Sequence, residues 1–139
     1  MPGPAEYPKL AEDAFNRRDI AALARLWTPD FHYSAPGGEE TSTREAAVAR
    51  EQALFDAFPD IRADLGRHLV CGDALVIEGI MSGTHDGPLR LGDVRIAATH
   101  RPIRTRFVGV FSFEAGLVRR ERVYYDRLEL LQQLGVAAA

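Results

Sequence analysis

A single cysteine, Cys71, and a single lysine, Lys9, stand in a chain of 139 residues. One cysteine can neither close an intrachain disulfide nor build a thiolate metal site. No motif surrounds Cys71, so it reads as a small buried hydrophobe near a strand end. There is no Walker-type lysine and no G-x-G-x-x-G, which removes the common phosphate-cradling loops. No serine sits in a G-x-S-x-G elbow. The histidines, His32, His68, His85 and His100, are far apart in sequence and form no H-x-H or H-x-x-x-H pair, so no metal and no cofactor is expected. A His32, His85 and Asp86 set meeting in space is the one arrangement left open.

Long apolar runs are missing too. None approaches the ~20 residues that span a bilayer. The first residues, Met1 to Tyr7, lack a charged-then-apolar leader pattern. The expectation is a cytoplasmic protein with no membrane partner. Net charge is only −3. The longest basic cluster is Arg119-Arg120 with Arg122, interrupted by Glu121. A nucleic-acid binder needs a basic face or stripe, so nucleic acid is not expected.

What is present is ordinary globular composition, 46% hydrophobic and 27% charged. The length fits one domain over residues 1–139, which buries about 70% of its unfolded surface. Tyr7, Leu10, Ala11, Ala14 and Phe15 keep helical spacing. Asp19 is placed to cap a short helix carrying Ile20, Leu23, Leu26 and Trp27, closed by Pro29. Phe31 to Ala35 reads as a strand. Ser42 and Glu45 form an S-x-x-E box opening a helix through Phe58. From Ile61 the pattern changes to alternation. Strands are expected near 61–69, 74–85, 94–98, 103–114 and 117–126, with turns at Gly72-Asp73, Asp86-Gly87-Pro88 and Ala115-Gly116. Leu128, Leu130, Leu131 and Leu134 suggest a terminal helix stopped at Gly135, and Ala137–Ala139 is expected to fray. Helices followed by an antiparallel meander give an α+β class, with helices on one face of a curved sheet.

Four stretches in this order carry a resemblance. They are Ala14-Phe15-Asn16-Arg17-Arg18-Asp19 with Leu26-Trp27-Thr28-Pro29-Asp30-Phe31; Phe58-Pro59-Asp60-Ile61-Arg62; Ser82-Gly83-Thr84-His85-Asp86-Gly87; and Phe113 to Val118 running into Tyr124-Tyr125-Asp126 and Leu130 to Gly135. Together they resemble the SnoaL-like polyketide cyclases of the NTF2-like superfamily over nearly the whole chain. The resemblance implies a cone-shaped α+β barrel with N-terminal helices packed on a mainly antiparallel sheet around an apolar cavity. It also implies a homodimer. A dimer through the outer sheet face would bury Val123 and Tyr125.

The resemblance implies catalysis by Asp126, at the end of the last strand before L-L-x-Q-L, acting as acid and base in an intramolecular ring closure. Local sequence offers a plainer role, with Asp126 as N-cap of the terminal helix. Alternation puts Arg122, Tyr124 and Asp126 on one face. If that face is the cavity's, Tyr124 can donate to a carbonyl, while Arg122 would bind an anion or lower the Asp126 pKa. His85 lies in a stretch common in the family and would donate to an enolate oxygen, or be a turn residue bonded to backbone. His32 and Ser34 share a face of the first strand where the family places polar pocket groups. His100 sits on a loop that departs from the family's Pro-Thr-Gly, and His68 reads as surface. Trp27, Phe31, Phe55 and Phe58 are core residues that can also line a pocket.

The strand 107–113 lacks the histidine expected of the aldol cyclases. Three functions follow. The first is a cofactor-independent cyclase of a polyketide or related hydrophobic small molecule. The second keeps the pocket but performs dehydration, isomerisation, epoxide opening or pericyclic closure. The third is a non-catalytic binding module.

Overall fold

The computed structural model describes residues 2–137, so Ala138 and Ala139 of the expected frayed tail lie outside the described residues. Helix α1 (Tyr7–Asn16) buries Tyr7, Ala11, Ala14 and Phe15, the i, i+4, i+7, i+8 stripe of its sequence, and has Pro8 in its first turn. Helix α2 (Ile20–Ala24) is capped by Asp19, whose Oδ1 accepts from the Ala22 N–H at 3.0 Å. It ends before the expected Trp27. Trp27 instead opens β1 (Trp27–Ala35), where Trp27, Phe31 and Tyr33 are buried. These are β-favouring residues alternating on one face.

The expected Ser42 cap is also displaced by one residue. Thr43, in extended conformation, accepts from the Ala46 N–H at 3.0 Å and starts α3 (Arg44–Ala57). That leaves room for β2 (Glu39–Thr41), a short strand the sequence reading did not contain. Then come β3 (Arg62–Cys71), β4 (Ala74–Thr84), β5 (Leu89–Leu91), β6 (Val94–Ile96), β7 (Pro102–Glu114), β8 (Leu117–Tyr125) and α4 (Arg127–Gln133). Cys71 is exposed at the end of β3. This corrects its reading as buried: the end of an edge strand runs past the layer of helices that would cover it.

Six strands form one sheet in the order β2-β1-β8-β7-β4-β3, and β5-β6 make a separate ribbon. Every neighbouring pair is antiparallel except β1 with β8. The sheet is mixed and curved, and the helices close its concave side, as an α+β cone requires. Three register shifts fall in β1, β3 and the β7–β8 pair. Such bulges bend strands and increase twist.

The shift in the β7–β8 pair decides the site. Ser112 pairs with Arg120, but Phe113 pairs with Val118, so Arg119 is the extra residue. Val118 points inward, and without the bulge Arg120, Arg122 and Tyr124 would follow it inward. The extra residue reverses the alternation. The inward set is Glu121, Val123 and Tyr125, while Arg120, Arg122 and Tyr124 are exposed on the outer face. The expectation that a dimer across the outer face would cover Val123 and Tyr125 is therefore corrected, since both face the cavity.

Two inward glycines make room for rings. A Cβ on Gly79 would lie 2.6 Å from Cζ of Phe107, its partner across the ladder, and one on Gly109 would lie 2.7 Å from Cε1 of Phe111. The rings lie over strand positions that have no side chain, which helps a curved sheet stay covered. Strand β3 is held to α1 by Asn16, whose amide donates to the Ala63 carbonyl and accepts from the Ala63 N–H, both at 2.9 Å.

Candidate active site

The curved sheet, α1, α3 and the β5–β6 ribbon enclose a cavity of about 610 Å³, in the range typical of small-molecule sites. Its walls are largely aromatic and aliphatic. Trp27 and Phe31 stack with centroids 4.6 Å apart, and Tyr7 leans on Phe111 at 5.1 Å. Tyr7, Trp27, Phe31 and Phe111 all line the cavity.

One end is polar. Arg50 of α3 projects into the cavity and each of its three side-chain nitrogens donates. Nε goes to Glu39 Oε1 at 2.8 Å, Nη1 to Glu51 Oε2 at 3.0 Å, and Nη2 to the Tyr33 hydroxyl at 2.7 Å. The guanidinium also lies 3.9 Å from the Tyr33 ring centre. Burial works against its charge, but Tyr33, Glu51 and Glu39 outweigh that and hold it firmly protonated. Glu51 is pushed above the usual carboxylate range by burial, with Arg50 opposing. Glu121 is the most displaced carboxyl. Burial first, then the neighbouring Glu51, push it up to about 8 against the pull of Arg50. At neutral pH it holds its proton. Tyr7 and Tyr33 are raised well above the usual phenol value, chiefly by burial, and remain hydroxyl donors.

Two further polar atoms lie on the wall. Trp27 Nε1 has the Tyr7 hydroxyl beside it, and Thr105 Oγ1 is buried without a hydrogen-bond partner among the described residues. Buried polar groups are rarely left so.

Of the residues expected from sequence, Trp27, Phe31 and Phe58 line this cavity. The others are placed elsewhere. Asp126 is exposed and caps α4, its Oδ1 accepting from the Glu129 N–H at 3.0 Å. Tyr124 is 55% exposed and Arg122 is exposed, both on the outer sheet face for the reason given by the Arg119 bulge. His32 and Ser34 do share a face, but it is the outer face of β1, because the buried Phe31 and Tyr33 take the inner one. His32 pairs with Glu40 there at 3.2 Å. Phe55 is core, packed 5.0 Å behind Phe15, which lines the cavity where Phe55 does not. His100, at φ 58°, bonds the exposed Asp86 at 3.0 Å.

His85 is fully buried but outside the cavity wall, 5.3 Å from the Phe58 ring. Its Nδ1 accepts from the Thr99 N–H at 3.2 Å, which leaves the proton on Nε2 in the neutral ring. Burial holds its pKa below the ordinary value. Glu39, Arg50, Glu51 and Glu121 were not singled out as site residues. The one signal for Glu121 was a lone acid inside a basic run, on the same alternation as Val123 and Tyr125. Among the described residues no three His, Cys, Asp or Glu side chains converge as a metal site, so the His32, His85 and Asp86 set does not form. No helix among them is long and apolar enough to cross a membrane.

Comparison with known proteins agrees with this architecture. The family model described as SnoaL-like polyketide cyclase matches residues 6–134. TsrD from Streptomyces laurentii is 26% identical, with 96% of this chain and 95% of that one covered at a TM-score of 0.82. IdmH from Streptomyces antibioticus, a proposed polyketide cyclase, is 25% identical over 96% and 99% of the two chains, with a TM-score of 0.77. A proposed SnoaL-like polyketide cyclase from Jannaschia sp. CCS1 is 20% identical over 99% and 97%, with a TM-score of 0.82, and at that identity speaks to fold alone. No curated protein matches the chain.

Proposed function

The chain belongs to the SnoaL-like polyketide cyclase family, and on that premise we propose that it closes a ring in a polyketide-type small molecule by acid–base chemistry at Glu121 and Glu51. The observation that carries this is a carboxyl, Glu121, facing a largely apolar cavity beside a second carboxyl held by Arg50, where burial and the neighbouring Glu51 favour its protonated form. Two neighbouring carboxyls that cannot both ionise cheaply divide into an acid and a base.

Glu51, partnered by Arg50, serves as base and removes a proton from a carbon between two carbonyls. The resulting enolate carbon bonds to a distant carbonyl carbon of the same molecule. Glu121 gives its proton to the alkoxide so formed, and the proton on Glu51 passes back to restore the pair. Atoms balance, and the product is an isomer of the substrate. The Trp27 N–H, hydrogen-bonded to Tyr7, and the Tyr7 hydroxyl both line the cavity, and in this reading the Tyr7 hydroxyl donates to the enolate oxygen. The cavity holds both ends of one flexible chain together, which removes much of the entropic barrier. In this reading Asp126 is the helix cap and Glu121 takes the part that the resemblance gave to Asp126.

The test uses linear chains with 1,3-dicarbonyl units, offered as esters to wild type, Glu121→Gln and Asp126→Asn, and followed by chromatography with mass detection. Wild type and Asp126→Asn should each yield a species of unchanged mass and new retention, while Glu121→Gln loses most of the rate. The rate should also fall as pH rises through about 8, where Glu121 gives up its proton. Full turnover by Glu121→Gln refutes the assignment. Loss of one water would move the chemistry to dehydration on the same pair.

A further inference from the structure

Strand β7 shows one polar side chain to the cavity. Its inward positions are Ile103, Thr105, Phe107, Gly109, Phe111 and Phe113, and all but Thr105 are apolar. Thr105 is 6% exposed and lines the cavity, and its Oγ1 has no hydrogen-bond partner among the described residues. Threonine favours a strand, but so does valine, which has nearly the same shape and leaves no buried hydroxyl unmatched. The inward neighbours of Thr105 are Ile103, Phe107 and, across the ladder, Met81, whose thioether is a weak acceptor. A solitary water held there would find no second strongly polar side chain among them.

The hydroxyl is also firmly placed. Strand β8 ends at Tyr125, opposite Phe107, so β7 runs on past it without a strand on that side. Gln133 of α4 takes the strand's place. Its Oε1 accepts from the Arg104 N–H at 2.8 Å, and its Nε2 donates to the Arg104 carbonyl at 3.0 Å. On the other side Thr105 pairs with Met81 of β4. A side chain on a strand held at both edges is a preorganised contact.

The other polar groups of the wall have partners or tasks of their own. Tyr7 meets Trp27, and Glu12 accepts from the Leu65 N–H at 2.7 Å. Glu39, Glu51 and Tyr33 share Arg50. Tyr125 lies among Glu39, Arg127 and Arg50, and Arg127 donates to the Leu91 carbonyl at 3.1 Å. Arg90 and Glu40 are exposed. Thr41 Oγ1 is also unpartnered, but it stands on β2 opposite Tyr33, at the polar end.

Glu121 lies opposite Phe111, and Thr105 is six residues from Phe111 along β7, at most about 20 Å at strand spacing. A chain lying between them faces apolar rings for most of its length. Where carbonyls recur at alternate carbons, sliding by two carbons presents the same group to Glu51 and Glu121. Apolar walls do not resist that slip, and a hydrogen bond at the far end does.

Resting on the reading that Glu121 and Glu51 close a ring here, we infer that Thr105 determines specificity. Its hydroxyl donates to a carbonyl oxygen of the substrate remote from the reacting carbons, and so decides which carbons meet the carboxyl pair. The substrate class is a neutral chain with a ketone beyond its reacting 1,3-dicarbonyl.

The experiment is calorimetric titration of the whole protein with neutral straight-chain 1,3-diketones. The parent has no further oxygen, and each of the others has one more ketone, at a different carbon of the tail. One ketone position should tighten binding to wild type about five- to tenfold over the parent. Thr105→Val should remove that gain, and Thr105→Ser, which keeps the hydroxyl, should retain it. A set in which no ketone position tightens binding overturns the inference, as does a gain that survives in Thr105→Val. A chain with two tail ketones at alternate carbons tests the register. Wild type should close it to one ring isomer and Thr105→Val to a mixture, and the same single isomer from both refutes the assignment. If no ring closes while the gain still depends on Thr105, only the acid–base assignment falls. If Glu121→Gln stops ring closure but no ketone tightens binding, only the Thr105 assignment falls.

Discussion

Replacing Glu121 by Gln should make the protein more stable than wild type at alkaline pH and not at acid pH. In the unfolded chain this carboxyl titrates near its ordinary 4.5, and in the fold at about 8. The folded state therefore binds the proton more tightly. The stabilisation tied to this group is complete below 4.5 and is lost as pH climbs to about 8, at about 1.36 kcal/mol per pH unit. The full interval would give a ceiling of about 5 kcal/mol, and water entering the cavity should screen that to about 2–3 kcal/mol. Gln has nearly the shape of the protonated acid and cannot titrate, so the variant lacks this slope. Urea unfolding followed by Trp27, the single tryptophan, at half-unit steps from pH 5 to 9 gives the difference directly. Wild type should lose about 2–3 kcal/mol relative to Glu121→Gln across that range, several degrees in Tm. A flat difference, or a wild type that gains on the variant as pH rises, would mean that Glu121 is an ordinary solvated or ion-paired carboxylate. The acid–base proposal would fall with it.

Other substitutions probe the remaining parts. Asp126→Ala should cost about 1 kcal/mol through loss of the α4 cap, read as a fall in the urea midpoint, and leave ring closure unchanged. Arg50→Met strands Glu39 and Glu51 and should cost about 3 kcal/mol, read as a fall in the urea midpoint. Gly79→Ala puts a methyl against the Phe107 ring and should cost about 1–3 kcal/mol by overpacking, seen in thermal denaturation. Thr105→Val removes an orphaned hydroxyl. It should leave the protein as stable or about 1 kcal/mol more so, read in thermal denaturation.

Much of the architecture was legible because it depends on local chemistry. The Tyr7–Phe15 stripe, the caps at Asp19 and Asp126, the alternation from Ile61 onward and the turn at Ala115-Gly116 each follow from backbone preference and burial period. Errors began where two local signals competed. Ser42 has a glutamate three residues on, as a capping box requires, yet Thr43 caps α3. Trp27 keeps helical spacing with Leu23, yet it pairs in β1.

The sequence by itself determined the α+β class, the order of helices and strands, the kinship with the SnoaL-like proteins and the aromatic stock of the cavity. It also determined that Arg122, Tyr124 and Asp126 share a face, since side-chain alternation is a property of any strand. Which face that is was decided only in three dimensions. One extra residue, Arg119, in the pairing of β8 with β7 turns Glu121 inward and sends Tyr124 and Arg122 out. The gathering of Glu121 with Arg50 and Glu51 of α3 and Glu39 of β2 likewise depends on how distant segments pack. So does the displaced pKa of Glu121, because it comes from the water excluded around the carboxyl and the charges brought near it, and no spacing along the chain encodes either.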